Sequence, residues 1–258
     1  MKIIAVTQAR LGSTRLPKKV MKKINGKTLL EIHIHRIMKS SLINSIIIAT
    51  TSKKEDDIIN KEADKLNIKC YRGNENDVLD RYYNAVKNEN PDYIVRLTSD
   101  CPLIDGKLID KIIFEAINNK VDYCSNTLIE SYPDGQDIEV FTYQALKKAW
   151  KESKLKSERE HVTPYIKKNS NFYNLKKFKV KNVALKHSAY VNVRITIDEI
   201  EDFAVIKMLI DKLGFNDNWE SYAKLYVENK NIYNNNIHIS RNEGYLVSLE
   251  KDNNKLNE

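Results

Sequence analysis

The chain has 258 residues, 41% of them hydrophobic and 30% charged, with a formal net charge of +8; this suits a soluble globular protein large enough for a sizeable core and excludes a low-complexity or disordered class. No run of 18 apolar residues occurs, and a strand-like run begins at the third residue, so neither a membrane span nor a signal peptide is expected and the cytoplasm is the expected location. The three cysteines, Cys70, Cys101 and Cys124, form no CxxC pair, which fits reduced thiols rather than a disulfide framework or a zinc site.

Ile3-Ile4-Ala5-Val6 reads as a buried strand, and Gln8–Lys19, QARLGSTRLPKK, follows it. Gly12, Ser13, Thr14 and Pro17 stop regular structure there. The loop suits a polyanion. Arg10 and Arg15 can fork onto phosphoryl oxygens, Lys18 and Lys19 add point charge, and Gly12 lets main-chain amides approach. It is neither a Walker A loop nor a dinucleotide fingerprint, and a surface turn with scattered basic residues would also read this way.

Thr28 to Glu31 forms a capping-box pattern ahead of an apolar-faced helix, Ile46–Thr51 a second strand, Ser52 to Glu55 another box opening a helix to Leu66, and Ile68–Tyr71 a third strand. The order βαβαβ predicts an α/β fold with a mostly parallel sheet covered by helices. Asp77–Lys87 reads as helix and Asp92–Leu97 as strand, ending at Thr98-Ser-Asp100-Cys-Pro102. In such a sheet ligands sit beyond the carboxyl ends of strands, so the segments at 8–19, 72–77 and 98–102 should converge.

Beyond residue 120 the alternation loosens. Val121–Cys124 and Ile138–Phe141 read as strands flanking the turn YPDGQ, 142–154 and 157–168 as helices, the latter opened by a Ser157 to Glu160 box. Residues 173–180 and 190–197 read as strands and Ile200–Leu213 as helix. The expected organisation is one domain over 1–250, with parts at 1–120 and 121–215 and a helical segment at 216–250, then a disordered tail (251–258).

Only nine of the 43 basic residues are arginine, and the lysines are spread along the chain. That distribution argues against a nucleic-acid partner, and it draws attention to arginines held in polar clusters. Asp100 and Asp198 each follow a strand and could hold Mg²⁺, although an aspartate capping a helix would occupy the same place. Asp137 and Glu139 could face sugar hydroxyls or simply decorate a hairpin. Arg159 and His161 lie on the first turns of a helix, where an anionic group is favoured, while His33, His35, His187 and His238 match no metal spacing and read as surface or core residues.

QARLGSTRLPKKV, IIIATTS, YRGNENDVLDRYY, IVRLTSDCPLID, DYCSN, YPDGQDIEVF, EREHVTPYI, ITIDEIEDF and RNEGYLVSL, in this order, span essentially the whole chain. Together they resemble the acylneuraminate and 3-deoxy-manno-octulosonate cytidylyltransferases, and above all the SpsF-like spore-coat polysaccharide branch. The resemblance implies a GT-A-like (Rossmann-like) nucleotidyltransferase fold with a smaller substrate and dimerisation lobe, a nucleotide-binding half at 1–120, and an acceptor-binding half at 121–215 that includes the second metal aspartate. It implies transfer of CMP from CTP to an acceptor with release of pyrophosphate, assisted by Mg²⁺ or Mn²⁺. Arg10, Ser13 and Lys19 match the family's triphosphate positions, with Ala9 and Gly12 giving main-chain contacts. Asp100 and Asp198 match its metal-binding aspartates. Lys18 replaces a glycine, which leaves open which lysine reaches the phosphates. Thr98 replaces a base-reading glutamine, so Arg72, Asn74 or Asp77 could share that task. Arg96, Arg159, His161 and Arg194 suit a small anionic acceptor: a nonulosonic-acid-like sugar, or alternatively a phosphonate or a polyol or sugar phosphate. A GT-A-like glycosyltransferase or sugar-nucleotide-binding protein is the reading from another class, and a homodimer is an open option.

Overall fold

The computed structural model describes residues 1–186, 189–229 and 234–256; His187 lies outside them. Nine strands are described: β1 (Ile3–Gln8), β2 (Lys23–Ile24), β3 (Lys27–Thr28), β4 (Ser45–Thr51), β5 (Lys69–Gly73), β6 (Tyr93–Thr98), β7 (Tyr123–Ser125), β8 (Glu139–Thr142) and β9 (Val180–Asn182). The helices are α1 (Leu29–Ile37), α2 (Asp57–Lys65), α3 (Val78–Val86), α4 (Gly106–Asn118), α5 (Tyr143–Glu152), α6 (Lys156–His161), α7 (Pro164–Lys168), α8 (Ile200–Leu213), α9 (Trp219–Glu228) and α10 (Glu243–Leu256).

Seven strands form one sheet in the order β5-β4-β1-β6-β8-β7-β9, and β2 and β3 form a small hairpin apart from it. The half from β5 to β6 is parallel, while β8 runs antiparallel to both β6 and β7. Successive residues of a strand point to opposite faces, and the continuous apolar runs are explained by cores on both. Ile3, Ala5, Ile46, Ile48, Val95 and Leu97 join the core under α1, α4, α8 and α9. Ile4, Val6, Ile47, Ala49 and Ile94 join the core under α3, α5 and α7. The resulting architecture is an α/β fold whose mostly parallel sheet is covered by helices on both faces.

Several local expectations are corrected. Ser52 and Glu55 make no capping box; a 3-10 turn at Lys54–Asp56 precedes α2, and the Lys53 amide donates to Thr51 Oγ1 at 3.2 Å. The expected helix 157–168 is two helices, because Pro164 begins α7 and Val162 turns the chain with φ of 72°. Just ahead of α6, Glu158 Oε2 accepts from the Lys154 and Leu155 amides at 3.2 and 3.3 Å, in place of the expected Ser157–Glu160 pair. Residues 173–180 form no strand beyond the start of β9, following a 3-10 turn at Asn171–Tyr173.

The segment 190–197 is not a strand either. Its buried Val193, Ile195 and Ile197 alternate as in a strand, but the chain beside them is a loop, and one isolated bridge joins Arg194 to Asp134. α10 runs through Leu256, past the expected start of a disordered tail, and Asp252 ties it back by accepting from the Ser157 amide at 3.0 Å.

Candidate active site

Two adjoining cavities of ≈ 690 and ≈ 420 Å³ open at the carboxyl ends of β1 and β6, where an open α/β sheet receives its ligands. Ala9, Arg10, Gly12, Ser13 and Lys19 line the larger. Arg96, Asp137, Glu139 and Arg194 line the smaller, and Thr98, Asp100, His161 and Asp198 border both. The loop after β1 and the segment after β6 therefore meet as their strand-end positions suggest; of 72–77 only Glu75 and Asn76 reach the larger cavity, and the segment before α8 joins the site although no strand precedes it.

Their meeting point is Lys19. Its Nζ donates to Asp100 Oδ2 at 3.1 Å, Asp198 Oδ1 at 2.9 Å and the Ile197 carbonyl at 2.8 Å. Burial works against the ammonium, but Asp100 and Asp198 outweigh it and Lys19 is raised above its ordinary value. For Asp100, burial alone would favour the neutral acid; Lys19 and a hydrogen bond from Thr98 override it and hold the carboxylate well below its usual range.

Neither aspartate is a capping residue. Asp105 caps α4, accepting from Lys107 and Leu108 at 2.9 and 3.0 Å. At α8 the amides of Asp198 and Glu199 are taken by Asp202 Oδ2, at 2.8 and 3.0 Å, which leaves the Asp198 carboxylate to the cavity. It receives two more cations: Arg15 Nη2 at 3.2 Å and Arg194 Nη2 at 3.1 Å. Among the described residues no cluster of three or more His, Cys, Asp or Glu could hold a metal. Two carboxylates plus nucleotide oxygens are nevertheless an ordinary Mg²⁺ donor set, and the ammonium already bridging Asp100 and Asp198 marks the spot between them as a cation position.

The smaller cavity is built from charge pairs. Glu139 is held by Arg96, by Lys167 Nζ at 3.0 Å, and by the hydroxyls of Tyr123 and Thr163 donating at 2.7 and 2.6 Å. Burial opposes its ionisation, yet Lys167 and Arg96 keep it well below the ordinary range. Arg194 binds Asp134 Oδ2 at 2.7 Å and both oxygens of buried Asp202 at 2.9 Å. Asp134 itself is pushed up to about 7 by burial and the nearby Asp137, against the pull of Arg241 and Arg194. Asp137 accepts from Arg241 Nη2 at 2.5 Å. His161 packs edge-on to Tyr245, with Nε2 3.1 Å from Ser248 Oγ, and burial and Arg96 push it down to about 4, so it is a packed neutral histidine.

Arg72, Asp77 and Arg159 line neither cavity. Arg72 ties β5 to the turn before α2 through the carbonyls of Thr51 and Lys53 and Asp57 Oδ1 at 2.6 Å. Asp77 caps α3 and takes Arg159 Nη2 at 2.5 Å, a bridge that fastens α6 to α3. Their polar surroundings resemble a site in sequence because clamps use the same residue types. Conversely, Glu75 and Lys167 line the cavities without having been singled out, and Arg81 and Asp134 line them although no role was expected of them. α10 also walls both, through Glu243 and Gly244; its position depends on a fold-back that no local pattern announces.

A basic, glycine-containing loop at the end of β1 facing a carboxylate pair at the ends of neighbouring elements defines an α/β enzyme of the nucleotidyltransferase class. The chain belongs to the cytidylyltransferase family, whose model matches residues 4–239. It is 45% identical over 206 residues to an uncharacterised protein of Methanocaldococcus jannaschii, covering 79% of this chain and 81% of that one. It is 34% identical over 217 residues to the spore coat polysaccharide biosynthesis protein SpsF of Bacillus subtilis, covering 82% and 88%. The solved structure of a cytidylyltransferase from Leptospira borgpetersenii superimposes with a TM-score of 0.83 at 33% identity, covering 90% of this chain and 97% of that chain.

Proposed function

We propose that the enzyme transfers CMP from CTP to an acidic, nonulosonic-acid-like sugar, releasing pyrophosphate, for surface glycan assembly in the cytoplasm. The observation that carries this reading is the convergence of Lys19, Asp100 and Asp198 where the two cavities join. The larger cavity, with Arg10, Ser13 and the amides near Gly12, takes the nucleotide; the smaller takes the acceptor, whose carboxylate is met by Arg96, Lys167 and Arg194 and whose hydroxyls are met by Asp137 and Glu139. The likeness to SpsF, a polysaccharide biosynthesis protein, supports a glycan destination.

In the reaction an acceptor hydroxyl oxygen attacks the α-phosphorus and its proton passes to solvent, the bond from that phosphorus to the bridging oxygen breaks, and pyrophosphate departs with the electron pair. Phosphoryl transfer of this kind is mostly positioning and charge stabilisation. Arg10, Arg15 and Lys19 neutralise the leaving pyrophosphate. Asp100 and Asp198 would hold Mg²⁺, which supplies charge neutralisation at the α-phosphate and polarises the attacking oxygen.

Pyrophosphate release should be measured with each of the four nucleoside triphosphates and Mg²⁺, against nonulosonic acids, sugar phosphates, polyol phosphates and phosphonates. CTP-selective release with a nonulosonic acid is expected. Release with a phosphorylated acceptor alone would replace the acceptor assignment, and a folded protein that binds CTP yet releases nothing with any pair would overturn the transfer.

A further inference from the structure

Lys19 occupies the place that a divalent ion needs. Its Nζ lies within 3.1 Å of one oxygen of each aspartate, and a third bond, to the Ile197 carbonyl, completes its donor capacity. An ammonium with three protein acceptors is fully satisfied there, and its side chain is 13% exposed. Asp198 is already shared by Lys19, Arg15 and Arg194. A divalent ion entering between the carboxylates while Lys19 stayed would meet a like charge at contact distance, in a half-buried site where screening is weaker than in bulk water.

We infer that Lys19 is a resident counter-cation which must leave the Asp100–Asp198 pair before a divalent ion can use both carboxylates, so that the nucleotide-free enzyme binds metal poorly. This rests on reading Asp100 and Asp198 as the metal-holding pair. The departing ammonium needs another anion, and its loop faces the cavity assigned to the triphosphate. Polyphosphate entry and metal entry are thereby coupled: each favours the same displaced position of Lys19, and the coupling is reciprocal. A single side chain serves two anionic partners in turn, and no separate sensor is needed. The neighbouring Lys18 is exposed and lines neither cavity, so it offers a charge-matched control.

The test uses Mn²⁺ alone, without nucleotide, with bound and free ion resolved by electron paramagnetic resonance. Wild type should bind Mn²⁺ weakly, and Lys19→Gln should bind it at least about tenfold more tightly, within the usual range of coupling. Lys18→Gln should match wild type. Adding Asp198→Asn to Lys19→Gln should abolish the gain, with circular dichroism confirming that each variant is folded.

Equal Mn²⁺ affinity in wild type and Lys19→Gln overturns the inference. So does an equal gain in Lys18→Gln, which would reduce the effect to net charge, or a gain that survives Asp198→Asn. Turnover is not read in this experiment. If the gain appears while no nucleotide yields pyrophosphate, the cation exchange stands and the transfer reading falls; if transfer proceeds without the gain, the reverse holds.

Discussion

At the scale of single residues, the site is a set of carboxylates whose charge is fixed by the cations around them. Asp100→Ala should abolish turnover while leaving the fold intact, because its neighbours Lys19 and Thr98 keep other partners or border a cavity; near-normal pyrophosphate release in that variant would remove the metal assignment. Lys19→Ala should raise the CTP KM or lower kcat more than Lys18→Ala, since Lys19 reaches the aspartates and Lys18 does not line the cavity; equal or reversed effects in steady-state kinetics would mean the loop is read wrongly. Glu139 provides the pH prediction. Its folded-state value lies below the unfolded value of about 4.3, so its stabilisation is present above that pH and is lost as pH falls toward its folded-state value. Each such carboxylate steepens the loss by up to about 1.4 kcal/mol per pH unit. Denaturant unfolding at stepped pH should therefore show a shallower acid loss in Glu139→Gln than in wild type, and an unchanged slope would show that the pair contributes nothing to acid stability.

At the scale of elements, the wall of the smaller cavity depends on the close approach of two irregular segments. The turn at Gly135 lies against 193–197, with Asp134 N donating to the Val193 carbonyl at 2.9 Å and Ile195 N to the Asp134 carbonyl at 2.8 Å. A Cβ at Gly135 would meet the Ile195 backbone at 2.6 Å, at a φ of +103° that other residues rarely adopt. Gly135→Ala should cost roughly 3 kcal/mol or more, the sum of overpacking and backbone strain. Gly26→Ala, at φ of +82° with no neighbour within 4 Å, should cost only roughly 1 kcal/mol. Chemical denaturation of the two variants gives the comparison, and equal losses would mean that strain rather than the close approach dominates. This turn also explains the misread segment at 190–197. The sequence reads as a strand there and its apolar residues are indeed buried in alternation, but burial on one side requires only a packed neighbour, and strand formation requires a second backbone in register.

At the scale of the whole molecule, the parallel half and the mixed half share one sheet through β6 and β8. One core beneath it extends from Ile3 to Tyr226, so neither half has a separate interior. Thermal unfolding should accordingly show one cooperative transition, and two resolved transitions in calorimetry would assign the halves independent stability. The net charge of +8 is dispersed over the surface, whereas the site arginines and Lys19 are neutralised pairwise by carboxylates. The charge that matters for chemistry is thus local and balanced, which overall composition does not reveal.

The alternation of apolar runs with turn-rich loops was enough to define the α/β class, the strand-end loops and the meeting of Arg10 and Lys19 with Asp100, because hydrophobic periodicity and chain order dictate which ends of a parallel sheet meet; Asp198 arrives from a loop misread as a strand. Which polar clusters are clamps and which are cavity walls was decided only in three dimensions. Asp77 and Arg159 are 82 positions apart and join as a bridge, while Glu243 folds back onto Arg15 across 228 positions at 2.7 Å. Contacts at such separations are set by how the elements pack, and the same residue types serve both purposes, so local sequence contains no signal that separates them.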